Sequence, residues 1–449
     1  MHAVLLVNTK FTLWPEMVVY PYLLNNGFQL YKDIINPYPP AFTFFLALIS
    51  KIFGYTPYSF QILSWLQVII IDLIIFTLAV KTTKKLLYGL ISAAFFIFFS
   101  IPFGVNGLWF DLIQTPFIFM SVYLFYRFLK NEKANTLLLS FLFVIFAFFI
   151  KQQAAWLALW YITYLFLFNR NVLFDNIAIF QRLFAFFFII ALTHVWILNN
   201  LGMLKEFISW TVIFPLFTAS SVPGYVLLPT VRQVTITLAT LLIFTPLIFN
   251  KKSNGKIILY SSIPLLFFAY PRFDYFHLIP LLAVLSLLIG PLIDTIKSVR
   301  FQWKIVSMLS AIIIIGFSAR YYMNNWSYQI RFLEPEITSA ASFLSIIVPK
   351  DETVYIQNGP DQLLPLSGHL PPKPWADEFP WYMEINGVQR RVVEGIETAD
   401  TKFVVFQPYT NKNTYDLGSY KPAKVVNFID ENFQNLIPIN NSLWLKIKK

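Results

Sequence analysis

The chain has 449 residues, of which 57% are hydrophobic and only 13% are charged, with a net charge of +11 and no cysteine. Soluble domains carry about 25% charged residues, and a soluble chain of this length could not hide so much apolar surface in cores of normal size. The composition excludes a soluble protein, a disulfide framework and a cysteine nucleophile, and predicts a polytopic α-helical membrane protein.

The chain begins with a segment that is too short to cross a membrane. Residues 1–10 contain one apolar run of five residues, shorter than a span or the core of a signal peptide. We therefore expect the first helix of the fold to be missing. The first loop continues to residue 57 and ends in an amphipathic stretch that closes at Phe53-Gly54, which we expect to lie along the membrane surface.

About ten transmembrane helices follow, because a span needs about 17 to 25 mostly apolar residues. The predicted spans are 58–80, 86–102, 112–129, 136–150, 153–168, 183–200, 225–249, 257–270, 275–296 and 304–322.

Basic residues mark every second connection between these spans, as the positive-inside rule requires of cytoplasmic segments. The marked connections carry Lys81, Lys84 and Lys85; Arg127, Lys130 and Lys133; Arg170 and Arg182; Lys251, Lys252 and Lys256; and Lys297, Arg300 and Lys304. This pattern places residues 1–57 and the tail outside a cell membrane that the chain crosses many times. Because the positive charge falls between apolar runs, it indicates orientation and not nucleic-acid binding.

The tail after residue 324 has the composition of a small α/β domain. Short β-branched or aromatic runs at 354–356, 403–406 and 425–426 predict strands, and helical spacing of apolar residues predicts helices over 336–347 and 388–396. The predicted domains are an external first loop (1–57), a transmembrane domain (58–323) and an external α/β domain (324–449).

Two acids of the first loop, Glu16 and Asp33, are candidates for a general base. A carboxylate in an external loop beside the membrane surface can remove a proton from an acceptor hydroxyl. Taken alone, such a pair is more often solvated loop acids, and the sequence leaves both interpretations open.

Two further candidates lie at predicted outer ends of spans. Asp111 can position an acceptor, help to hold a divalent cation or cap its helix. Lys151 interrupts a long apolar stretch, and it can extend to lipid headgroups or bind a lipid phosphate as a point charge.

A later external connection carries Arg272, Asp274 and His277. Arginine suits phosphate recognition because its planar fork donates several hydrogen bonds, and His277 can add another. An Arg272–Asp274 surface pair is the structural alternative. Arg232 lies inside a predicted span, where a charged residue is a candidate for function or for a structural pairing. Asp72 lies inside another predicted span, and the sequence suggests no role for it.

The first loop resembles that of the GT-C superfamily, specifically of the bacterial transferases related to protein O-mannosyltransferases and to the lipid A aminoarabinose transferase. The order Glu16, Tyr20, Gly27, Tyr31-Lys32-Asp33, Pro39-Pro40 and Phe53-Gly54 is similar to theirs. Lys151-Gln152, Arg272 with His277, and Leu366-Ser367-Gly368-His369 in the tail are similar to later motifs of these enzymes. The chain departs from the pattern at Pro15, where the family has the first acid of a pair.

The resemblance implies an inverting glycosyltransferase, of hexosyl or mannosyl type, that takes a sugar from a polyprenyl-phosphate donor to a glycan, lipid or protein acceptor on the external face. Glu16, Asp33 and Asp111 would act on the acceptor; Lys151, Arg272 and His277 would bind the donor phosphate. A divalent cation is a possible cofactor.

The alternatives are a lipid or sugar transporter or flippase, and an inactive scaffold of the same fold, which the missing acid at Pro15 allows. If the six residues build one active site, we expect their side chains to line a common cavity.

Overall fold

A computed structural model describes residues 1–131, 133–170, 177–222, 225–250, 255–409 and 420–449. Two residues of the predicted cytoplasmic set, Lys251 and Lys252, lie outside the described residues.

The described residues are mostly helical. In chain order the α-helices are α1 (His2–Asn8), α2 (Glu16–Asn25), α3 (Ala41–Phe53), α4 (Pro57–Thr83), α5 (Leu86–Ser100), α6 (Phe110–Asn131), α7 (Ala134–Ile150), α8 (Ala155–Phe168), α9 (Ile177–Asn200), α10 (Leu204–Ile208), α11 (Val231–Leu242), α12 (Thr245–Phe249), α13 (Lys256–Ser262), α14 (Ile279–Ser286), α15 (Ile289–Ile296), α16 (Phe301–Asn325), α17 (Pro335–Ile347), α18 (Leu363–Ser367), α19 (Pro380–Met383), α20 (Val388–Thr398) and α21 (Ala423–Asn432). The strands are β1 (Phe11–Leu13), β2 (Gly107–Leu108), β3 (Ile330–Arg331), β4 (Val354–Gln357), β5 (Phe403–Phe406), β6 (Phe433–Pro438) and β7 (Trp444–Lys448).

The chain divides into two compact units, and neither is continuous in sequence. The membrane unit contains residues Met1–Phe11, Ile62–His194 and Leu227–Tyr328. The loop–tail unit contains residues Thr12–Gln61, Val195–Val226 and Gln329–Lys449. The linear division into three domains that the sequence suggests stays a prediction.

The chain is a multi-pass membrane protein. Among the described residues, five helices are long and apolar enough to cross a membrane, namely α4, α5 with its following turn to Phe103, α6, α9 and α16. A sixth candidate is the pair Tyr275–Ser286 and Ile289–Ile296, which is bent by 54°. Shorter apolar helices over Ala134–Ile150, Val231–Leu242 and Lys256–Ala269 overlap three more of the predicted spans.

Large apolar side chains cover the outer surface of several spans. Only 11% of the most apolar window of α9 is buried, and Phe184 and Trp196 on that helix are 70% and 66% exposed. In water this surface would oppose folding, because each Å² of exposed apolar surface costs about 25 cal/mol. Lipid contact removes that cost, as the composition predicts.

The loop–tail unit contains a four-stranded sheet in the order β4-β5-β7-β6. Strands β4 and β5 are parallel, whereas β7 is antiparallel to both β5 and β6. Helices α17 and α20 bury apolar side chains in the same core as this sheet, among them Leu344 and Val392. The prediction of a small C-terminal α/β domain is confirmed.

The predicted strand at 425–426 is wrong, because these residues belong to helix α21. Val425 and Ile429 are the buried residues of that helix, and their spacing of four is the helical repeat. The β-branched pair at 425–426 alone did not distinguish a strand from a helix. The sequence reasoning also missed strands β6 and β7, which complete the sheet.

The first loop packs into the tail within the loop–tail unit. The Trp375 amide donates to the Asp33 carbonyl (2.8 Å), and the Ile35 amide donates to the Trp375 carbonyl (3.1 Å). The hydroxyl of Tyr22 on α2 donates to the carbonyl of His369 (3.1 Å). These bonds join residues more than 300 positions apart and fix the first loop against the tail segment that carries Trp375.

Candidate functional site

Three of the predicted site residues meet in the membrane unit. The Lys151 ammonium donates to Asp111 Oδ2 (2.7 Å), and His277 Nδ1 lies 2.9 Å from the same oxygen and 3.0 Å from Lys151 Nζ. When protonated, Nδ1 donates to Asp111; when not, it accepts from Lys151. Asp111 is fully buried and Lys151 is 3% exposed. We call these residues the ion trio.

Local structure brings each member of the ion trio to this position. Asp111 lies in the first turn of α6, where the helix dipole favours a carboxylate. Lys151 follows α7 in an extended conformation and interrupts the helix before α8. His277 lies in the short turn Tyr275–Leu278 that precedes α14.

The second oxygen of Asp111 is also bonded. Gln114, three residues later on α6, donates to Asp111 Oδ1 (3.0 Å), and the Thr115 hydroxyl donates to the Asp111 carbonyl (2.7 Å). The sequence reasoning missed Gln114, although a spacing of three on a helix puts two side chains on one face. The Asp111 charge is therefore fully satisfied inside the protein.

Arg272 also belongs to the membrane unit. The backbone on either side of it pairs with Leu227: the Leu227 amide donates to the Pro271 carbonyl (2.9 Å) and the Phe273 amide donates to the Leu227 carbonyl (3.0 Å). Arg272 is half-buried, and Arg232 stands over the Phe317 ring at 5.8 Å.

Asp72, for which the sequence suggests no role, pairs with His2 in the membrane unit. The His2 Nδ1 atom lies 2.7 Å from Asp72 Oδ2. The side chain of Asp72 is 16% exposed and that of His2 only 4%.

Glu16 is the other principal candidate, and it lies at the start of α2 in the loop–tail unit. The residue is 8% exposed, and its Oε2 atom has no hydrogen-bond partner among the described residues. The hydroxyl of Tyr20, one turn later on the same helix, is also buried and has no hydrogen-bond partner in the part of the chain that the structure describes. A buried acceptor with no donor is costly unless it holds a proton or receives a ligand.

Three acids from the tail share the surroundings of Glu16, and the sequence reasoning missed all of them. Asp361 and Asp377 hydrogen-bond to each other, and the Trp375 indole donates to Asp361 Oδ1 (3.3 Å). Glu378 accepts bonds from the Tyr355 hydroxyl (2.6 Å) and the Asn358 amide (2.7 Å). The only sequence signal was the acidic pair Asp377-Glu378 in a short stretch between Trp375 and Phe379. We call Glu16, Asp361, Asp377 and Glu378 the acid cluster.

The acid cluster holds protons into the neutral range. Burial, and after it the Asp377 charge, raise the pKa of Glu16 to about 8. Burial likewise raises the pKa of Asp361 to about 7 and that of Glu378 to about 7. The pKa of Asp377 is raised well above its usual range by burial and then by the charge of Asp361.

Asp33 has a different environment in the same unit. Its Oδ2 atom accepts bonds from the Lys373 ammonium (3.1 Å) and the Gln29 amide (3.0 Å), and its carbonyl accepts from Trp375. Lys373 is also bonded to the Gly27 carbonyl (3.1 Å). Asp33 thus ties the first loop to the tail with a carboxylate that is already paired.

The structure therefore brings together Asp111, Lys151 and His277, and separately places Glu16 among acids of the tail. In the part of the chain that the structure describes, no group of three or more His, Asp or Glu residues is arranged to hold a metal ion. The expectation that all six predicted residues line a common cavity stays a prediction.

Residues 37–197 match the model of the dolichyl-phosphate-mannose-protein mannosyltransferase family. No curated protein matches the chain in sequence.

Solved structures resemble the chain over almost its whole length. ArnT from Cupriavidus metallidurans bound to undecaprenyl phosphate matches with a TM-score of 0.62 and 9% identity, over 99% of this chain and 96% of that chain. The apo state of that protein matches with a TM-score of 0.57 and 10% identity, over 99% and 96%. The oligosaccharyltransferase of Archaeoglobus fulgidus, tethered to an acceptor peptide, matches with a TM-score of 0.53 and 10% identity, over 98% of this chain and 70% of that one.

Proposed function

Since the chain has the fold of the GT-C superfamily of membrane glycosyltransferases, we propose that it transfers a sugar from a polyprenyl-phosphate donor to an acceptor on the non-cytoplasmic face of the membrane. The donor class is supported by the undecaprenyl phosphate bound to the structurally similar ArnT. The acceptor is a glycan, a lipid or a protein.

Glu16 carries this proposal. Its carboxyl is buried, and one of its oxygens has no hydrogen-bond partner among the residues that the structure describes, which leaves that oxygen available to exchange a proton with a substrate. Its pKa of about 8 lies close to the working range of a general base, which is most effective when its pKa is near the operating pH. Asp33 is the weaker candidate, because Lys373 and the Gln29 amide already occupy its carboxylate.

The reaction divides into two roles. Glu16 accepts the proton of the acceptor hydroxyl while the acceptor oxygen bonds to the anomeric carbon. The bond from that carbon to the phosphate oxygen breaks, and the phosphate leaves with the electron pair. Direct attack from the face opposite the phosphate inverts the anomeric carbon, and a hexosyl or mannosyl donor is the expected class.

The departing phosphate gains negative charge, and preorganised donors that meet this charge lower the barrier. Arg272, Lys151 and His277 are proposed for this role. Asp111 holds the Lys151 ammonium and the His277 ring in fixed positions, so a phosphate would find these donors already oriented.

The experiment uses the purified protein in lipid vesicles with polyprenyl-phosphate mannose and other polyprenyl-phosphate hexoses as donors, and it measures release of the lipid phosphate. We expect Glu16→Gln to lower turnover by about 10²–10⁴-fold, the usual contribution of a general base, with donor affinity unchanged. Asp33→Asn should retain most activity. Near-full activity of Glu16→Gln would exclude Glu16 as the base, and loss in Asp33→Asn alone would assign that role to Asp33.

The phosphate role has a separate readout, the dissociation constant of the donor. Arg272→Ala should weaken donor binding by roughly tenfold or more, because a charge-assisted bond to phosphate is lost. Arg320→Ala, an exposed arginine on α16, is the matched control. Equal donor affinity in both variants would remove Arg272 from the proposal.

Orientation is tested with single cysteines, since the chain contains none. A cysteine at exposed Lys350 in the tail should react with an impermeant reagent in intact cells, whereas one at exposed Lys81 should react only after permeabilisation. The reverse pattern would overturn the external placement of the tail.

A further inference from the structure

We propose that Gln114 on α6 is a positioning residue of the donor-phosphate site: it fixes the direction of the Asp111 carboxylate and thereby keeps one N–H of Lys151 available for a phosphate. The inference rests on the proposed function, because it concerns the same hydrogen-bond donors. Gln114 belongs to the membrane unit, as do the three residues of the ion trio.

The hydrogen bonds divide the two oxygens of Asp111 between different partners. Oδ2 accepts from the Lys151 ammonium (2.7 Å) and lies 2.9 Å from His277 Nδ1, whereas Oδ1 accepts from the Gln114 amide (3.0 Å). Gln114 follows Asp111 by three residues on α6, so the two side chains share one face of the helix. With a partner on each oxygen, the carboxylate is held in one rotation about its terminal bond.

The Gln114 side chain is fully buried, and the chemistry of its partner decides which end of the amide meets Asp111. A carboxylate only accepts hydrogen bonds, so the NH₂ group must face Oδ1 and the amide oxygen must face away. That oxygen, Oε1, has no hydrogen-bond partner among the described residues. A buried acceptor without a donor lowers stability, so Gln114 is a poor packing residue, and what it contributes is its bond to Asp111.

This bond determines how many donors Lys151 has left. An ammonium carries three N–H donors. Asp111 Oδ2 takes one of them, and His277 Nδ1, 3.0 Å away, takes at most a second. Because Oδ1 is bonded to Gln114, Asp111 does not offer a second oxygen to the ammonium. One N–H of Lys151 therefore remains for a phosphate oxygen.

Removal of the Gln114 amide should release the carboxylate. Oδ1 would then turn towards the Lys151 ammonium, since hydrogen bonds to a charged donor are the strongest in a buried site. The ammonium would be drawn away from the phosphate, and His277 would lose a fixed partner. The phosphate gains charge as the sugar leaves, so the loss should grow in the transition state. Gln114 itself exchanges nothing with the substrate and acts only through Asp111.

Thr115 supplies a matched control in the same turn of α6. It is fully buried like Gln114, but its hydroxyl donates to the backbone carbonyl of Asp111 (2.7 Å) and not to the carboxylate. Gln114→Met and Thr115→Val each remove one buried hydrogen bond and keep the size of the side chain nearly constant. Both variants can lose stability, but only Gln114→Met frees the carboxylate.

The first test measures the dissociation constant of polyprenyl phosphate and the turnover at saturating donor, with the full chain in lipid vesicles. Gln114→Met should weaken binding by about threefold to tenfold, because one charged donor is misplaced but not removed. Its turnover should fall by about a further tenfold, because the missing contact is needed most in the transition state. Thr115→Val should match the unaltered protein in both measurements.

An equal dissociation constant in Gln114→Met and Thr115→Val would overturn the inference. If Gln114→Met does not fold, Gln114→Asn takes its place, because its amide is one carbon shorter and cannot reach Oδ1 in the same way. Gln114→Asn should weaken binding in the same direction, and unchanged binding in this variant would also overturn the inference.

Nitrogen NMR of isotopically labelled histidine needs neither a donor nor turnover. The chain has four histidines, so the His277 signals are assigned by comparison with His277→Gln. We expect the Nδ1 signal of His277 to shift in Gln114→Met and to stay in place in Thr115→Val, because only the first variant frees the carboxylate that His277 contacts. If the protein binds no polyprenyl phosphate, the proposed function fails, and this spectrum alone decides whether Gln114 orients the ion trio. A His277 signal at the same position in both variants would overturn the inference.

Discussion

The ion trio of the membrane unit and the acid cluster of the loop–tail unit are both buried, but only the first is electrically compensated. In the ion trio, the Lys151 ammonium lies 2.7 Å from Asp111, and both oxygens of Asp111 are bonded. In the acid cluster, Glu16 and Asp377 each have one oxygen with no hydrogen-bond partner in the described part of the chain. The ion trio compensates buried charge by pairing opposite charges, whereas the acid cluster must keep its acids protonated.

Compensation and protonation have different consequences for chemistry. A buried ion pair with satisfied bonds keeps its charges and orients its members, and it changes little with pH. A buried group of like acids must instead keep protons, since each lost proton places a charge in an apolar site. The acid cluster is therefore suited to proton exchange and the ion trio to holding donors in place.

The largest effect we expect comes from breaking the ion trio. Lys151→Met leaves the Asp111 carboxylate buried without its counter-charge, which costs about 3–5 kcal/mol in comparable pairs. The double variant Asp111→Asn with Lys151→Met removes both charges and should recover much of that loss. Thermal unfolding in detergent measures both.

Lys81→Met, at an exposed lysine of α4, is the control and should unfold close to the unaltered protein. If the single Lys151 variant is as stable as this control, the ion pair contributes nothing to the fold and the comparison fails.

The acid cluster should make stability depend on pH with a definite sign. The pKa of Glu16 in the folded protein is about 8 against an ordinary value of 4.5, and those of Asp361 and Glu378 are about 7. At pH values between the ordinary pKa and the raised pKa of these acids, the folded state binds more protons than the unfolded state. The free energy of unfolding therefore falls as pH rises through this range. We expect a loss of a few kcal/mol between pH 5 and pH 8.

Thermal unfolding at a series of pH values measures this loss. Asp377→Asn removes one of the coupled acids and should flatten the curve above pH 6. A stability that rises from pH 5 to pH 8 would show that the acids are paired with cations in solution and not protonated.

The sequence revealed the class of protein and part of the site. Long apolar runs and the basic connections predict a helical membrane protein because lipid imposes those patterns on any chain. The sequence points to these three residues one by one: Asp111 at the outer end of a span, Lys151 as an interruption of an apolar stretch, and His277 in an external connection. These residues contact one another because α6, the break between α7 and α8 and the turn before α14 pack together. The periodicity of the sequence does not encode this packing.

The acid cluster was beyond sequence reasoning for a related reason. Asp361, Asp377 and Glu378 lie in irregular segments rich in proline and aromatic residues, where acids are usually solvated. Their burial depends on pairing between the first loop and the tail, through Trp375 and the backbone of Asp33. Contacts of such long separation leave no local pattern.

Gly395→Ala is a smaller change that separates the support of the acid cluster from its charges. The added Cβ would collide with the Lys373 carbonyl oxygen, so the tail segment from Lys373 to Glu378 must shift. We expect a loss of about 1–3 kcal/mol, typical of overpacking. Gly316→Ala in helix α16, where a Cβ meets nothing within 4 Å, is the control and should be neutral or slightly stabilising. Equal unfolding temperatures in the two variants would show that the close contact does not hold the segment.

The smallest effect should come from the pair between Lys373 and Asp33. The Lys373 side chain is 47% exposed and that of Asp33 is 17% exposed, at a distance of 3.1 Å. Pairs this exposed contribute about 0.2–1 kcal/mol, because solvent screens the attraction and two flexible side chains lose freedom. We expect Lys373→Met and Asp33→Asn each to cost less than about 1 kcal/mol.

The double variant should show a coupling of the same small size, measured by thermal unfolding at low and at high salt. Added salt should reduce this coupling, whereas the coupling between Asp111 and Lys151 should persist because burial shields it. A coupling above 2 kcal/mol, or one that salt leaves unchanged, would mean that Asp33 is as enclosed as the ion trio, and Asp33 would then return as a candidate for the base.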